Sequence, residues 1–312
     1  METPSDNVAF SIGGLDIYCY AIMITLGLLL AFALVTYLLK KRGIGVEFAL
    51  ELFLWVVILA VVCCRLFYVV PRIGTTYDLT TAEGWAEIFN LRQGGLTIIG
   101  GIFGGVIGII GCCLRNKMYS IARTADLVVL ALFVGQIVGR WGNYFNQELY
   151  GLEITDPSMQ WFPFAVHVVK GNIDLGWHCA LFFYEGVLNF IGLCIGLTMF
   201  RYKIDKRKPL MIGIFYLLWY GIVRGSLEFL KMEHATFPGT EVGIVQVICY
   251  CMAAVCAVLI ILYAKGIINF RFLDKYNKAP NPDCTAFYNV DGNCEVINGV
   301  TGAEEERLEA KQ

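Results

Sequence analysis

Charged residues are scarce in this sequence. Asp, Glu, Lys and Arg account for 16% of its 312 residues, whereas 57% are hydrophobic. This composition excludes a soluble globular domain of such length and predicts a polytopic membrane protein. Lysine and arginine are also missing from Met1–Asp16, so the first apolar stretch lacks the basic region of a cleaved signal peptide and is predicted to be a retained helix.

Metal-ligand patterns are absent as well. No group of His, Cys, Asp and Glu residues has the spacing of a metal site, and we expect neither a metal nor another cofactor. Most of the 12 cysteines lie in apolar stretches without a pairing pattern, which is typical of packing residues rather than disulfides. The net charge of −2 identifies no partner, because the basic residues are sorted along the chain. No nucleic-acid partner is expected.

Seven apolar stretches have about the 20 residues that a helix needs to cross a bilayer. They are roughly Tyr18–Leu39, Phe48–Val70, Leu96–Leu114, Ile121–Val138, Ala180–Phe200, Leu210–Leu230 and Val242–Ala264. The expected fold is therefore an all-α membrane protein, a polytopic bundle of seven transmembrane helices with outer-face loops and short helices.

Lysine and arginine are concentrated in alternate connections, and short basic loops stay on the cytoplasmic side. The basic connections are Lys40–Arg42, Arg115–Arg123, Arg201–Lys208 and Lys265–Lys278. The loops at about 75–94 and 151–177 hold few basic residues and are predicted to lie outside. This places the N-terminus outside and the C-terminus in the cytoplasm.

The C-terminal part of the chain has a different composition. Residues 266–312 are rich in Pro, Asn, Gly and charge, whereas residues 1–265 carry all the apolar stretches. We therefore expect a seven-helix transmembrane domain over 1–265, which holds the functional site, and a polar cytoplasmic tail over 266–312. A short helix at Ala303–Lys311 is the only regular structure expected in the tail.

Three arginines lie in apolar surroundings: Arg65, Arg140 and Arg224. An arginine at bilayer depth is costly and usually faces a protein interior or an aqueous cavity. Together they predict a buried site for an anion, and lipid phosphate is the abundant anion of a membrane. For Arg65 the alternative is an ion pair with a buried acid such as Glu51 or Asp126.

Glycines recur at four-residue spacing in the third apolar stretch. Gly100, Gly104 and Gly108 form one row of a helix, and Gly101 and Gly105 form the next. Such a face lets another backbone approach closely. The alternative is that the missing side chains leave room for a lipid tail or headgroup.

The densest polar segment, GRWGNYFNQELYG, follows the fourth apolar stretch at Gly139–Gly151. Arg140 offers a permanent charge and a planar set of donors for phosphate, and Asn143 and Asn146 add neutral donors and acceptors. Glu148 could hold an arginine in place or accept a proton, and the glycines let the chain turn. So many donors exceed the needs of an interfacial helix end, which indicates a binding site.

This segment resembles the signature of the prolipoprotein diacylglyceryl transferase family, G-R-x-G/A-N-F-x-N-x-E-x-x-G, with Tyr144 where the family commonly has Phe. Similar matches occur elsewhere in the expected order. They are Tyr20 at the opening of the first helix, Arg65 and Tyr68 in the second, Gln93–Leu96 with Gly100 and Gly101 in the third, Gly135–Gln136 before the signature, Arg224 and Glu228 in the sixth, and Gln246 in the last. The resemblance covers roughly Asp16–Ala264.

The resemblance implies a seven-helix enzyme that transfers the diacylglyceryl group of phosphatidylglycerol to the lipobox cysteine in a prolipoprotein signal peptide. A thioether forms and glycerol-1-phosphate leaves. The implied partners are phosphatidylglycerol, the prolipoprotein signal peptide and membrane lipids. The alternative is a transporter or flippase for an anionic lipid or solute, but the sequence has neither an internal repeat nor a proline within the apolar stretches, as transporters often do.

The residues and the resemblance together give the predicted site. The catalytic candidates are Arg140, Arg224, Glu148 and Tyr20, and the two arginines are expected to stabilise the developing phosphate charge. The candidates for binding phosphatidylglycerol are Arg140, Asn143, Asn146, Gly142, Gly151, Arg65, Tyr68, Glu228, Gly100 and Gly101.

The proton acceptor is left open by the sequence. A cysteine thiol with a pKa of about 8.5 is mostly protonated at neutral pH, so the reaction needs a base or a positive field. Many family members have His-Gly-Gly in the third segment, but this chain has Ile99 at the histidine position. Glu148, Tyr20, His178 or a phosphate oxygen could take the proton. His178 is otherwise expected to be structural, and Asp126 and Glu185 are expected to form ion pairs or to sit at helix ends.

Overall fold

The computed structural model describes residues 3, 7–90, 94–116, 119–148, 150–170, 173–232, 236, 243–270, 273, 287–288 and 294–295. Its helices there are α1 (Cys19–Lys40), α2 (Val46–Val69), α3 (Ala82–Phe89), α4 (Ile98–Arg115), α5 (Ile121–Phe145), α6 (Leu181–Arg201), α7 (Ile204–Arg207), α8 (Met211–Glu228) and α9 (Ile244–Ala264). Six of these, namely α1, α2, α4, α5, α6 and α9, are long and apolar enough to cross a membrane. The chain is thus a mostly helical, multi-pass membrane protein.

Short strands occur before the first helix, in one connection and in the tail, where the sequence predicted no strands. β1 (Val8–Ile12) pairs with β2 (Leu15–Tyr18), β3 (Ala165–Lys170) with β4 (Ile173–Cys179), and β5 (Phe287–Tyr288) with β6 (Cys294–Glu295), all antiparallel. From Val166 onward in β3, the buried Val166 and Val168 alternate with the more exposed His167 and Val169, which is the pattern of a strand with one covered face. The helix expected at Ala303–Lys311 lies outside the described residues.

The predicted helix boundaries agree with the structure to within two residues, except at the end of α5. That helix continues to Phe145 instead of ending at Val138, so the first half of the polar segment is helical. The chain turns only afterwards, where Gln147 adopts a left-handed conformation with φ 55°. The prediction that Gly139 and Gly142 serve a turn is therefore wrong.

The chain forms two compact units. The first comprises Met1–Val35 with Asp126–Phe270, and the second comprises Thr36–Ala125 with Arg271–Gln312. Within the first unit α8 packs against α6 and α9, and within the second α2 packs against α4.

In the first unit, the buried carboxylate of Asp126 on α5 fixes the start of α8. Its two oxygens accept hydrogen bonds from Leu210 N at 2.8 Å and from Gly213 N at 2.7 Å. These N–H groups belong to the helix end that lacks intrahelical acceptors, and a negative charge there is favourable. Asp126 is thus a helix-end acid, as expected, but it serves α8 rather than its own helix.

In the second unit, the glycine row of α4 packs directly on α2. A Cβ atom at Gly100 would lie 2.7 Å from Cys63 C, and one at Gly104 would lie 2.8 Å from the Cα of Ala60. Gly105, on the neighbouring row, has nothing within 4 Å of such an atom. The close-packing interpretation is therefore confirmed for the first row, because any side chain there would push the two helices apart.

We expect Gly104→Ala to destabilise the protein although alanine favours helices. The added methyl group meets the α2 backbone, and overpacking of this kind costs about 1–3 kcal/mol. Gly105→Ala is the matched control: it adds the same methyl group in open space and should leave stability unchanged or raise it by up to about 1 kcal/mol. Thermal unfolding in detergent compares the two, and equal melting temperatures would contradict the packing argument.

Candidate active site

Two arginines from different helices of the first unit converge on one carboxylate. Arg140 on α5 donates a hydrogen bond from Nη2 to Oε1 of Glu185 on α6, and Nη1 of Arg224 on α8 lies 3.9 Å from Oε2 of the same carboxylate. Arg224 Nη2 is also 3.1 Å from Glu228 Oε2, and Lys231 Nζ is 3.9 Å from Glu228 Oε1. We call these five residues the charge cluster; it joins three helices.

The acids of the charge cluster are more deeply buried than its cations. The side chains of Glu185 and Glu228 are 5% and 2% exposed, whereas those of Arg140 and Arg224 are 18% and 19% exposed. Buried carboxylates need partners because the loss of hydration is costly. Since three cations face two anions, the fully ionised cluster has a net charge of +1, and its accessible groups are cationic. Such a surface suits an anion.

Helix direction explains why these residues meet. The C-terminal ends of α5 and α8 lie at the same end of the bundle as the N-terminal end of α6. Arg140 and Arg224 are about one turn before the ends of their helices, and Glu185 is about one turn after the start of α6. All three therefore lie at the same level of the bundle.

Uncharged polar side chains continue from the charge cluster toward the middle of the same helices. Gln136, Asn189 and Tyr220 each lie four positions from one of the three residues that meet at the shared carboxylate. Gln136 Nε2 donates to the hydroxyl of Tyr216 at 2.8 Å. Asn189 is 2% exposed, and within the described part of the chain its Nδ2 has no hydrogen-bond partner. Polar side chains therefore continue for about one helical turn beyond the charge cluster, toward the middle of the three helices.

The segment after α5 ties the three helices together. Gly151 N donates to Cys179 O at 2.9 Å, next to the start of α6, and Leu152 N donates to Leu230 O at 2.8 Å, just beyond α8. A Cβ atom on Gly151 would lie 2.7 Å from the Cβ of Cys179, so only glycine fits between these chains. Residues 151–154, which we call the strap, thus fix the end of the bundle that carries the charge cluster.

Three other residues of the polar segment lie close to Arg140 in the sequence, and they differ in burial and in contacts. Asn143 and Asn146 are half-buried, and their side-chain amides have no hydrogen-bond partner among the described residues, so they can still bind a ligand. Gly142 is buried under the ring of Tyr20, whose Cδ2 would lie 2.8 Å from a Cβ atom there. Glycine at 142 thus lets the Tyr20 ring of α1 pack closely on α5, and a larger residue would shift that ring.

Glu148 is not brought into the charge cluster. Its side chain is exposed, and the contact recorded for it is a hydrogen bond from its backbone N to Asn143 O at 2.9 Å. The expectation that Glu148 holds an arginine has no support among the described contacts. That role belongs to Glu185, which the sequence marked only as an acid for an ion pair or a helix end.

His178 is a structural residue, as expected. It is 3% exposed, and its Nδ1 and Nε2 lie 3.0 Å from Gly151 O and 2.9 Å from Leu175 O. Both ring nitrogens are thus occupied by backbone carbonyls of the strap and of β4. In the adjacent position, burial raises the pKa of the Cys179 thiol, which therefore stays protonated at neutral pH.

Arg65, in the second unit, has neither of the expected partners. Its five N–H donors are directed at backbone carbonyls: Nε at Ile88 O (2.7 Å), Nη2 at Glu87 O (2.7 Å) and Asn90 O (3.2 Å), Nη1 at Gly94 O (2.8 Å) and Gly95 O (3.2 Å). A guanidinium has five donors, so none is left for a phosphate. Glu51 instead pairs with Arg115 at 3.1 Å. The prediction that Arg65 binds an anion is therefore wrong, and Arg65 instead holds the backbone before α4.

The remaining predicted residues of the second unit also surround Arg65 or pack helices. The guanidinium of Arg72 lies over the ring of Tyr68, with its Cζ 3.9 Å from the ring centroid, and the same ring lies beside Gly95. Gly100 is covered by the α2 backbone and offers no room for a lipid, whereas Gly101 faces the Sγ of Cys64.

Sequence reasoning left three members of this region out of the predicted site: Glu185, Lys231 and Asn189. Lys231 follows Glu228 by three positions, which is a recognisable helical ion-pair spacing. Glu185 lies among apolar residues near a helix start and needed a cationic partner, but the partner is 45 positions away. In the described part of the chain no group of three His, Cys, Asp or Glu residues could hold a metal ion.

Comparison with known proteins gives one consistent result. The family model for prolipoprotein diacylglyceryl transferase matches residues 7–262. A phosphatidylglycerol–prolipoprotein diacylglyceryl transferase from Clostridium perfringens is 31% identical over 256 residues, which are 82% of this chain and 94% of the relative. An enzyme of the same name from Finegoldia magna is 32% identical over 263 residues, 84% of this chain and 98% of the relative. This chain belongs to the prolipoprotein diacylglyceryl transferase family.

Proposed function

We propose that this protein is a transferase that moves the diacylglyceryl group of phosphatidylglycerol to the lipobox cysteine of prolipoproteins. The observation that carries the proposal is the meeting of Arg140 and Arg224 at one buried carboxylate, with part of each arginine side chain exposed. Relatives that match nearly their whole length carry the name of this activity.

The charge cluster suits the chemistry of the reaction. The thiol sulfur forms a bond to the carbon of the diacylglyceryl group that carries the phosphate ester. The bond between this carbon and the phosphate oxygen breaks, and glycerol-1-phosphate leaves with the electron pair. Negative charge grows on the phosphate as the bond breaks, and guanidinium groups that are already oriented stabilise it better than water would. Arg140 and Arg224 are assigned this role.

Neutral groups beside Arg140 complete the proposed headgroup site. The unpaired amides of Asn143 and Asn146 can bind the phosphate or the terminal glycerol hydroxyls. Gly142 and Gly151 shape the site through close backbone packing, and Glu228 holds Arg224 at 3.1 Å. Tyr20 and Glu148 stay predictions as catalytic residues, and Tyr68 and Gly101 stay predictions for binding phosphatidylglycerol.

We also propose α8 as a seventh membrane span. It has 18 residues, about 27 Å of helix, and it packs against the apolar helices α6 and α9. Its charged residues Arg224 and Glu228 are paired with each other, which lowers the cost of placing them in the membrane. With seven spans, the distribution of lysine and arginine puts the N-terminus and the strap outside and the tail, 266–312, in the cytoplasm, beyond a catalytic domain over 1–265.

The test of this function is a transfer assay with phosphatidylglycerol vesicles and a synthetic lipobox peptide. We expect release of glycerol phosphate and a gain of one diacylglyceryl mass on the peptide. Arg140→Ala or Arg224→Ala should lower the rate by about 10²–10³-fold, as removal of one charge-stabilising donor does. Arg115→Ala is the control, because Arg115 is 71% exposed and pairs with Glu51 in the second unit.

Two results would contradict this proposal. The first is an absence of peptide modification by the wild-type protein together with movement of the lipid across the vesicle membrane, which would indicate a transporter. The second is an equal loss of rate in the Arg115 variant and the two cluster variants, since the arginines would then act only through protein stability.

Arg65→Met should reduce stability more than substrate affinity. The change leaves five backbone carbonyls without their donors, and each lost charged hydrogen bond contributes about 1.5–3 kcal/mol, so the melting temperature should fall by more than about 10 °C. Arg72→Met, which removes one hydrogen bond to Tyr68 O, is the milder control. A large rise in KM for phosphatidylglycerol at an unchanged melting temperature would instead restore a phosphate role for Arg65.

A further inference from the structure

We propose that Glu185 is the catalytic base that takes the proton of the substrate thiol. The inference rests on the transferase function proposed above and adds a second role to the carboxylate that holds the two arginines. It supplies the proton acceptor that a thiol nucleophile needs, because a cysteine thiol is mostly protonated at neutral pH.

The other candidate acceptors are poorly placed for this role. Both ring nitrogens of His178 are held by backbone carbonyls at 3.0 and 2.9 Å. Glu148 is exposed and stands apart from the charge cluster. The Ile99 side chain is 71% exposed and cannot accept a proton. Tyr20 packs its ring on Gly142, and a neutral phenol is a weak proton acceptor.

The carboxylate of Glu185 has an unused acceptor oxygen. Oε1 accepts the hydrogen bond of Arg140, but Oε2 is 3.9 Å from Arg224, beyond hydrogen-bonding distance, and accepts no hydrogen bond from any described residue. Glu228, the other acid of the cluster, is closer to Arg224 at 3.1 Å and also neighbours Lys231. Glu228 Oε2 likewise accepts no hydrogen bond from the described residues. In the described part of the chain Glu228 contacts only Arg224 and Lys231, however, so Glu185 is the acid of the cluster that lies next to both phosphate-binding arginines.

Substrate binding improves this acceptor. Arg140 faces Glu185 from α5, and Arg224, Glu228, Tyr216 and Tyr220 face it from α8. When a lipid phosphate binds the two guanidinium groups, its negative charge offsets theirs, and this favours the protonated form of a neighbouring carboxylate. The base is therefore most effective when the lipid is in place.

The step balances without a further reactant. The thiol proton moves to Oε2 of Glu185 as sulfur forms its bond to the glycerol carbon. The C–O bond to the phosphate breaks, and its electron pair leaves with glycerol phosphate. Glu185 then returns the proton to the departing phosphate or to water, which restores the carboxylate.

A change of nucleophile separates proton transfer from positioning. We compare lipobox peptides with cysteine and with selenocysteine, whose selenol is already ionised at neutral pH and needs no base. Glu185→Gln keeps an oxygen for Arg140 but removes the base, so it should lower kcat about 10²-fold or more with the cysteine peptide. With the selenocysteine peptide it should lose less than about fivefold, so the rate ratio of the two peptides rises at least about tenfold.

The ratio is measured within one protein sample, so a smaller folded fraction cancels. Should Glu185→Gln yield no folded protein, Glu185→Asp should change the ratio in the same direction. Glu228→Gln, which removes the acid that only holds Arg224, should lower both rates equally, and Glu51→Gln in the second unit should leave both unchanged. An unchanged ratio in the Glu185 variants would overturn the base assignment. A wild-type protein that modifies neither peptide would overturn the transferase function itself.

Discussion

The shared carboxylate of Glu185 is the interaction on which the site depends. The two guanidinium groups proposed to bind one phosphate repel each other, and this repulsion grows as water is excluded. A buried acid between them offsets the repulsion and keeps both arginines at the same level of the bundle. Because 18% and 19% of these arginine side chains stay exposed, a phosphate would meet guanidinium groups that the acid already holds in position.

The backbone supports this cluster from both ends of α8. At the start of the helix, the buried carboxylate of Asp126 binds the N–H groups of Leu210 and Gly213. Beyond its end, Leu230 accepts a hydrogen bond from the strap, which also binds the residues before α6. The axial position of Arg224 is therefore set by contacts about 18 residues apart, and neither involves the charge cluster.

The sequence predicted the membrane helices well because hydropathy is a local property, and it predicted Arg140 and Arg224 because buried arginines are rare. It missed the helical course of Gly139–Phe145, since Gly142 suggested a turn whereas its glycine serves the contact with Tyr20. It offered an ion pair as one role of Glu185 but did not identify the partners, which are distant in the chain. The partners of Arg65 could not be predicted, because backbone carbonyls are present at every position and leave no signature.

The environment of Arg65 has an evolutionary consequence. Its guanidinium recognises carbonyl groups at Glu87, Ile88 and Asn90, and not the side chains of these residues. Gly94 and Gly95 differ, because both adopt positive φ angles of 80° and 78° that disfavour other residues. Evolution can thus exchange the side chains at 87, 88 and 90 without losing these hydrogen bonds, whereas at 94 and 95 any other residue would be strained.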